Sequence, residues 1–278
     1  MATVNRIAVL SAVLASAILG TPALAAPVSG QGTWETTLQA RDLDGNAATA
    51  EAYYDTVLNI TWQANANLAL TEKYGQGPFM TGDGRMERPN AAAWLAGMNA
   101  AGYLGFSDWR FPATFDPGIP GCNYPRFPLP YAGYPDQDCG YNVNPATSEM
   151  AHLYYMTLGN ESLYDTSGNY TNCINILPNY QCMTNKGPFT NLFNASYLSG
   201  TQVAGAENVN FLFDFIFGVQ DAAGGSYNIN VWAVHDGDIG SPVPIPPAVW
   251  LFGSALGVMG VMRRKISVRF PASDSSAS

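Results

Sequence analysis

Three pairs of closely spaced carboxylates, Asp42/Asp44, Asp136/Asp138 and Asp236/Asp238, are the first residues in this 278-residue chain whose types and spacing suit chemistry. Alternating oxygen ligands can wrap a hard cation such as calcium. The first pair offers that pattern in Arg41-Asp-Leu-Asp-Gly-Asn46, with Asp42, Asp44 and Asn46 as the candidate ligands. The EF-hand spacing is not completed, because its glycine position holds Ala47 and its closing glutamate position holds Tyr53. Asp and Gly also build ordinary turns, and a turn is the expectation for all three pairs, with calcium at the first as the competing one. His152 falls inside an expected helix as half-buried structure. His235 ends an expected strand beside Asp236, a carboxylate able to tune its pKa. No activated nucleophile accompanies either histidine. The chain has no Gly-x-Ser-x-Gly, no His-Glu-x-x-His and no phosphate-cradling glycine loop. The expectation is therefore a protein that is not an enzyme and needs no cofactor, calcium excepted.

Four cysteines, Cys122, Cys139, Cys173 and Cys182, form an even set. They allow three pairings, of which Cys122–Cys139 and Cys173–Cys182 are favoured because each pair encloses irregular sequence. Each closed loop would contribute roughly 3 kcal/mol. Zinc would want Cys-x2-4-Cys spacing, which is absent.

The elements that must position these residues read as α+β. Gly32 to Gln39 and Tyr53 to Trp62 are expected strands. Asn90 to Ala101 is the clearest helix, with Asn90 as cap, Trp94, Leu95 and Met98 on one face and Gly102 as terminator. A second helix is expected from Ser148 to Leu158, capped by Ser148 or Thr147 and stopped by Gly159. Ser196 to Thr201, Val209 to Phe217 and Tyr227 to Val234 read as strands, the last two separated by a turn at Asp221 to Gly225. Between the helices, Phe111 to Pro145 is too rich in proline for ladder or helix. A long irregular loop of that kind needs a staple or a function.

Both ends of the chain carry addresses. Arg6, the apolar run Ile7 to Leu19 and Ala23-Leu24-Ala25 make a secretory signal over residues 1–25, cut after Ala25. At the other end, an uncharged stretch from Ala248 to Met262 is followed by Arg263-Arg264-Lys265. That stretch is short of the roughly 20 residues that cross a bilayer comfortably, and the cations behind it would stay cytoplasmic. It is a short anchor or a transient one. Residues 266–278 form a tail, and residues 26–242 the body.

The charge balance, 12 Lys+Arg against 21 Asp+Glu, excludes nucleic acid as a partner. Charged residues make up only 12%, about half the usual share, while the hydrophobic fraction of 47% excludes intrinsic disorder. The body alone keeps 7 cations and 20 anions, near −13, an acidic surface that repels phosphate and uronate polymers at long range.

Two resemblances follow from particular residues. Val243-Pro244-Ile245-Pro246-Pro247-Ala248, then Val249-Trp250-Leu251-Phe252-Gly253-Ser254 and the Arg263-Arg264-Lys265 cluster, resemble the PEP-CTERM sorting signals of Gram-negative bacteria, in the variant beginning Val-Pro-Leu-Pro-Ala. The resemblance implies an exosortase as partner, transient anchoring in the inner membrane, and delivery to the cell surface or exopolysaccharide matrix. The extra proline and the residues beyond Lys265 depart from the pattern. In the body, Gly84 to Trp94 followed by Gly102-Tyr-Leu-Gly-Phe-Ser-Asp-Trp-Arg-Phe-Pro112 is similar to the hallmark of the Lcl C-terminal domain family. Within it Asp108 and Arg110 flank the amphipathic Trp109, so that both can bridge backbone groups while the ring closes the core. Thr33 to Leu38, Asp55 to Trp62, Ser148 to Tyr155, Ser199-Gly200-Thr201 and Trp232-Ala233-Val234 extend the similarity over nearly all of the body.

That family implies a single domain similar to C-type lectins and the formylglycine-generating enzyme group, with an adhesion or matrix-associated role. Neither activity carries over: the lectin tripeptides Glu-Pro-Asn and Gln-Pro-Asp are absent, and no cysteine follows Cys182 to supply the oxidase's late copper pair. The expected ligand is a glycan, with Tyr131 and Tyr134 in the Cys122–Cys139 loop as the candidate face, since exposed aromatics stack on sugar rings. An enzyme of formylglycine-type ancestry and a permanently anchored structural subunit are the alternatives.

Overall fold

The computed structural model describes residues 31–46, 48–119, 138–175 and 181–240. The signal with Ala25, the sorting residues from Val243 to Lys265, the tail, Cys122, Tyr131, Tyr134 and Asp136 lie outside the described residues.

The domain is α+β, mostly strands, in two antiparallel four-stranded sheets with few helices. A single turn of helix, α1 (Trp34–Thr37), leads into β1 (Leu38–Arg41), where a strand from Gly32 was expected. The Thr33 carbonyl accepts hydrogen bonds from the amides and hydroxyls of both Thr36 and Thr37, and this local bonding outcompetes the ladder. The expected second strand is a hairpin, β2 (Ala52–Asp55) and β3 (Ile60–Gln63). Asp55 turns the chain by accepting the amides of Val57 and Leu58 on its Oδ1, and Asn59 adopts a left-handed φ of 53°, which places Asp55 opposite Ile60. The sheet is closed by β8 (Val234–Asp236) against β3, giving the order β1-β2-β3-β8.

The long helix α2 runs Arg88–Ala100. It begins two residues before the expected cap: Glu87 is the N-cap, and Pro89 in the first turn supplies a fixed φ where no amide donor is needed. Its buried stripe is Ala91, Trp94 and Met98, and Gly102 ends it at φ 63°. The second helix starts as expected. Ser148 accepts the Ala151 amide, and α3 (Glu149–Ala151) continues as a π-helix over His152–Thr157. Gly159, at φ 67°, terminates it. There the backbone meets Gly32: a methyl group on Gly159 would stand 2.3 Å from the Gly32 nitrogen, and the Thr33 amide bonds the Thr157 carbonyl at 2.9 Å.

The second sheet has the order β4-β7-β6-β5, from β4 (Gly140–Tyr141), β5 (Ser196–Gln202), β6 (Val209–Asp214) and β7 (Val219–Gly224). Two strand expectations are corrected here. Asp221 to Gly224 is ladder rather than turn, since the turn falls at 215–218, where Asp214 Oδ1 accepts the amides of Ile216 and Phe217. Tyr227 to Asn230 is not a strand; it makes isolated bridges, Ile229 exchanging two backbone bonds with Met86, and Asn230 donating to the Ser196 carbonyl and accepting from the Leu198 amide. The stretch that follows still alternates as a strand does. Ile229, Val231 and Ala233 join one core cluster, while Trp232 and Val234 join the other.

That segment is the seam between two cores. On one side Trp62, Tyr154, Tyr197, Phe213, Phe215 and Trp232 form a dense aromatic cluster, with the Trp62 and Trp232 rings 4.8 Å apart and Trp232 donating its indole N–H to the Gln63 carbonyl. On the other, α2 sets Trp94 and Met98 on Met86, Trp109, Leu198 and Leu212. Cys173 and Cys182 are joined, as expected, with their Cα atoms 4.8 Å apart. Cys139 is buried and disulfide-bonded. Among the described residues no helix is long and apolar enough to cross a membrane.

Candidate functional site

The turn after α2 gathers Asp108, Trp109 and Arg110; the Trp109 ring closes the core as expected, whereas Asp108 and Arg110 serve mainly side-chain partners. Trp109 is 2% exposed, its indole N–H donated to the Tyr103 carbonyl and its backbone clamped at both N–H and C=O by the Asn99 amide. Arg110 faces two carboxylates. Its Nη1 and Nη2 fork onto Glu149 at 2.8 and 2.7 Å, and its Nε and Nη2 meet Asp236 Oδ1 at 2.9 and 2.6 Å. It bridges one backbone group, the Phe111 carbonyl. The bidentate Glu149 contact, with Asp236 behind it, raises the guanidinium pKa further above its ordinary value. Glu149 also accepts the Ala113 amide, so this ion cluster ties the start of α3 to β8 through the loop between the helices.

Asp108 bridges no backbone group; it accepts from His235 Nε2 at 2.9 Å. The expected His235–Asp236 contact is corrected accordingly, because side chains alternate along β8 and send Asp236 to Arg110 instead. The His235 ring packs against Phe106 and Trp109, with Nδ1 buried and without a hydrogen-bond partner among the described residues, an arrangement that suits the tautomer with its proton on Nε2. His152 is half-buried on the π-helix, as expected. Among the described residues neither histidine is hydrogen-bonded to a serine, threonine or cysteine side chain.

Asp238, expected in a plain turn, forms a two-pronged ion pair with Arg41, at 2.6 Å to Nε and 2.7 Å to Nη2. The first carboxylate pair does form a turn. Asp42 accepts the Gly45 amide, Asp44 the Asn46 amide, and Asn46 the Ala48 amide. Glu51, which the sequence did not flag, completes a cluster whose carboxylate oxygens lie within 4.8 Å of those of Asp42 and Asp44. Glu51 is itself engaged, accepting the Leu43 amide and the Thr49 hydroxyl. With these oxygens already serving the turn, chelation by EDTA is expected to leave the melting temperature unchanged within about 1 °C. A drop of several degrees, restored by calcium, would assign the turn a bound ion.

The site that the sequence did not disclose lies on the second sheet. By the period of two, Asp214, Val219 and Asp221 share a face with Leu212 and Ala223. Leu212 packs in the cluster beneath α2, with Ala223 against it, whereas Asp214 and Asp221, at the other end of the same face, line a hollow. The result is a cavity of about 530 Å³ lined by Ser196, Asp214, Asp221, Ser226 and Tyr227. Smaller hollows adjoin it toward Tyr141 and Phe217, and toward Arg85, Asn194 and Asn228, all sharing Asp214. Tyr227, 56% exposed, stands at the rim. Asp214 is fixed by the Ser196 hydroxyl at 2.9 Å and by its own turn. Desolvation, and secondarily the Asp214 charge, raises the Asp221 pKa above the ordinary carboxylate value. The groove thus offers carboxylates, amides, a hydroxyl and one open aromatic ring, the mixture that binds polyhydroxylated ligands by hydrogen bonds and stacking. It lies within the ~300–1,000 Å³ range of small-ligand sites. The residue that would have disclosed it is Asp221, whose place in a strand was hidden by the turn-like Asp-Ala-Ala-Gly-Gly.

Comparison of the chain with models of protein families, with curated proteins and with solved structures finds no match in any of the three.

Proposed function

We propose that the chain is an exported, non-catalytic glycan-binding domain of the cell surface or extracellular matrix, delivered by an exosortase acting on the tail from Val243 to Lys265. The observation that carries the reading is the open groove on the second sheet, rimmed by Tyr227 and furnished with Ser196, Asp214 and Asp221. Export is supported by the Cys173–Cys182 bridge, a bond that persists in oxidising compartments. A lectin-like domain of the Lcl C-terminal type is the finer fold reading, supported by the clustering of Asp108, Trp109 and Arg110 around His235, Asp236 and Glu149.

Glycan-array binding by the purified mature protein tests this reading. Binding is expected to fall at least tenfold in Tyr227→Ala and in Asp214→Asn. Tyr131→Ala and Tyr134→Ala, made in parallel, report on the loop between Cys122 and Cys139. Full retention of binding by the groove variants would remove the groove from the proposal, and absence of binding by the unmodified protein would remove the function.

A further inference from the structure

A second aromatic feature begins at Tyr141, on the hollow that adjoins the groove, and runs outward from it. Tyr164 and Tyr170 face each other across a two-residue bridge, their rings stacked at 4.7 Å with planes 28° apart, and Tyr141 stands edge-on to Tyr164 at 4.9 Å. The intervening turn is rigidly held. Asp165 accepts the amides of Ser167 and Asn169, these bonds lower its pKa below the ordinary 3.8, and the Thr171 amide returns to the Leu163 carbonyl. The ladder fixes Tyr170 with 58% of its surface in solvent, so a large apolar ring is presented rather than tucked away. Flanking residues Asp165 and Thr171 line a cavity of about 420 Å³ whose walls are mostly apolar, from Val143, Pro145 and Tyr155, with Asn142, Asn160, Glu161 and Thr166 among its other polar side chains.

The two amides and Thr171 in that cavity are committed to holding loops: Asn142 to the Tyr164 carbonyl, Asn160 to the Asn185 carbonyl, Thr171 to the Ser162 carbonyl. Glu161 and Thr166, both exposed, have no side-chain hydrogen bond among the described residues and remain for a ligand. Asp165 and Thr171 are the chain neighbours of Tyr164 and Tyr170, so the cavity and the stack belong to one short hairpin, and a carboxylate, a hydroxyl and an exposed ring on such a hairpin match a pyranose, whose axial C–H groups stack on a ring while its hydroxyls donate to carboxylate oxygens. Ordering the ring in advance removes the entropy cost of fixing it on binding. The sign of the charge selects further, since Glu161 and Asp165 at the cavity and the surplus of anions over the whole chain oppose uronate and phosphate groups.

Resting on the glycan-binding reading above, we infer that the Tyr164–Tyr170 stack is a second, separate contact for a neutral pyranose polymer, so that one long chain can engage the domain at two places and gain avidity. The test is electrophoresis of the mature protein through native gels containing hydroxyethylcellulose, dextran or galactomannan, with alginate as the anionic control. The unmodified protein is expected to be retarded by at least one neutral polymer and not by alginate. Tyr170→Ala is expected to weaken that retardation at least fivefold, Tyr170→Phe to keep it, and Glu161→Gln to weaken it two- to fivefold. Near-ultraviolet circular dichroism checks that each variant is folded. Equal retardation of the unmodified protein and Tyr170→Ala overturns the second contact and leaves the groove standing. Retardation by none of the neutral polymers overturns this inference, and loss of glycan-array binding as well would overturn the reading beneath it.

Discussion

Replacing Gly159 by alanine is expected to cost about 4 kcal/mol of stability, a large share of the ~5–15 kcal/mol that holds a typical domain folded. Two costs add. A side chain at φ 67° is held in the left-handed region, a cost on the order of 1–2 kcal/mol. The new methyl group would also stand 2.3 Å from the Gly32 nitrogen and 2.8 Å from its Cα, and backbone atoms cannot swing aside as the end of a flexible side chain can. Gly45→Ala separates the two. Gly45 has φ 84° and nothing within 4 Å of the methyl group that alanine would add, so it carries the conformational cost alone, about 1 kcal/mol. Urea midpoints of the two variants, read at unchanged slope, give both numbers. Equal losses would mean that the Gly32–Gly159 crossing yields more readily than its geometry implies.

Trp232→Ala is expected to cost about 3–5 kcal/mol, the range for emptying a large aromatic site in a core. The ring is fully buried, lies 4.8 Å from both Trp62 and Phe189, and gives its indole N–H to the Gln63 carbonyl at 2.9 Å. Its neighbour supplies the contrast. Trp62 is equally buried, but its indole nitrogen has no hydrogen-bond partner among the described residues, so Trp62→Phe discards a desolvated donor together with some packing. Its loss is expected to stay near 1 kcal/mol, whereas Trp232→Phe, which strands the Gln63 carbonyl, loses about 1–3 kcal/mol more than that. Thermal and urea unfolding of the three variants check this order, and a Trp62→Phe loss matching that of Trp232→Phe would contradict it.

Much of this architecture was legible in the sequence where one local rule acted alone. Ser148 announced a helix start, Gly102 and Gly159 announced helix ends, Trp94 and Met98 announced a buried stripe, and the Cys173–Cys182 spacing announced its bridge. Reading failed where local and distant terms competed. Asp55 and Asn59 make a tight turn with neither glycine nor proline, so β2 and β3 read as one strand. Asp221 to Gly224 has turn composition but is held in the ladder by four paired positions with β6. The candidate site inherits that second error. Its carboxylates come from either side of a misplaced turn, and only the cross-strand register brings them to one face. The ion cluster fared better, since Asp108, Arg110 and His235 were singled out. Their partners were not foreseen, because Glu149 reaches Arg110 from a helix start 39 residues away.

The closing of the first sheet by β8 sets an order of events. Strands β1 to β3 are laid down early, but the strand beside β3, the indole that covers Trp62 and the carboxylate that clasps Arg41 all arrive with residues 232–238. A polypeptide made amino end first therefore carries an unfinished sheet until residues 232–238 have been added. Any product stopped short of Val234 would expose Trp62 and the β3 edge as bait for proteases and chaperones, which makes β8 a built-in inspection of the first sheet.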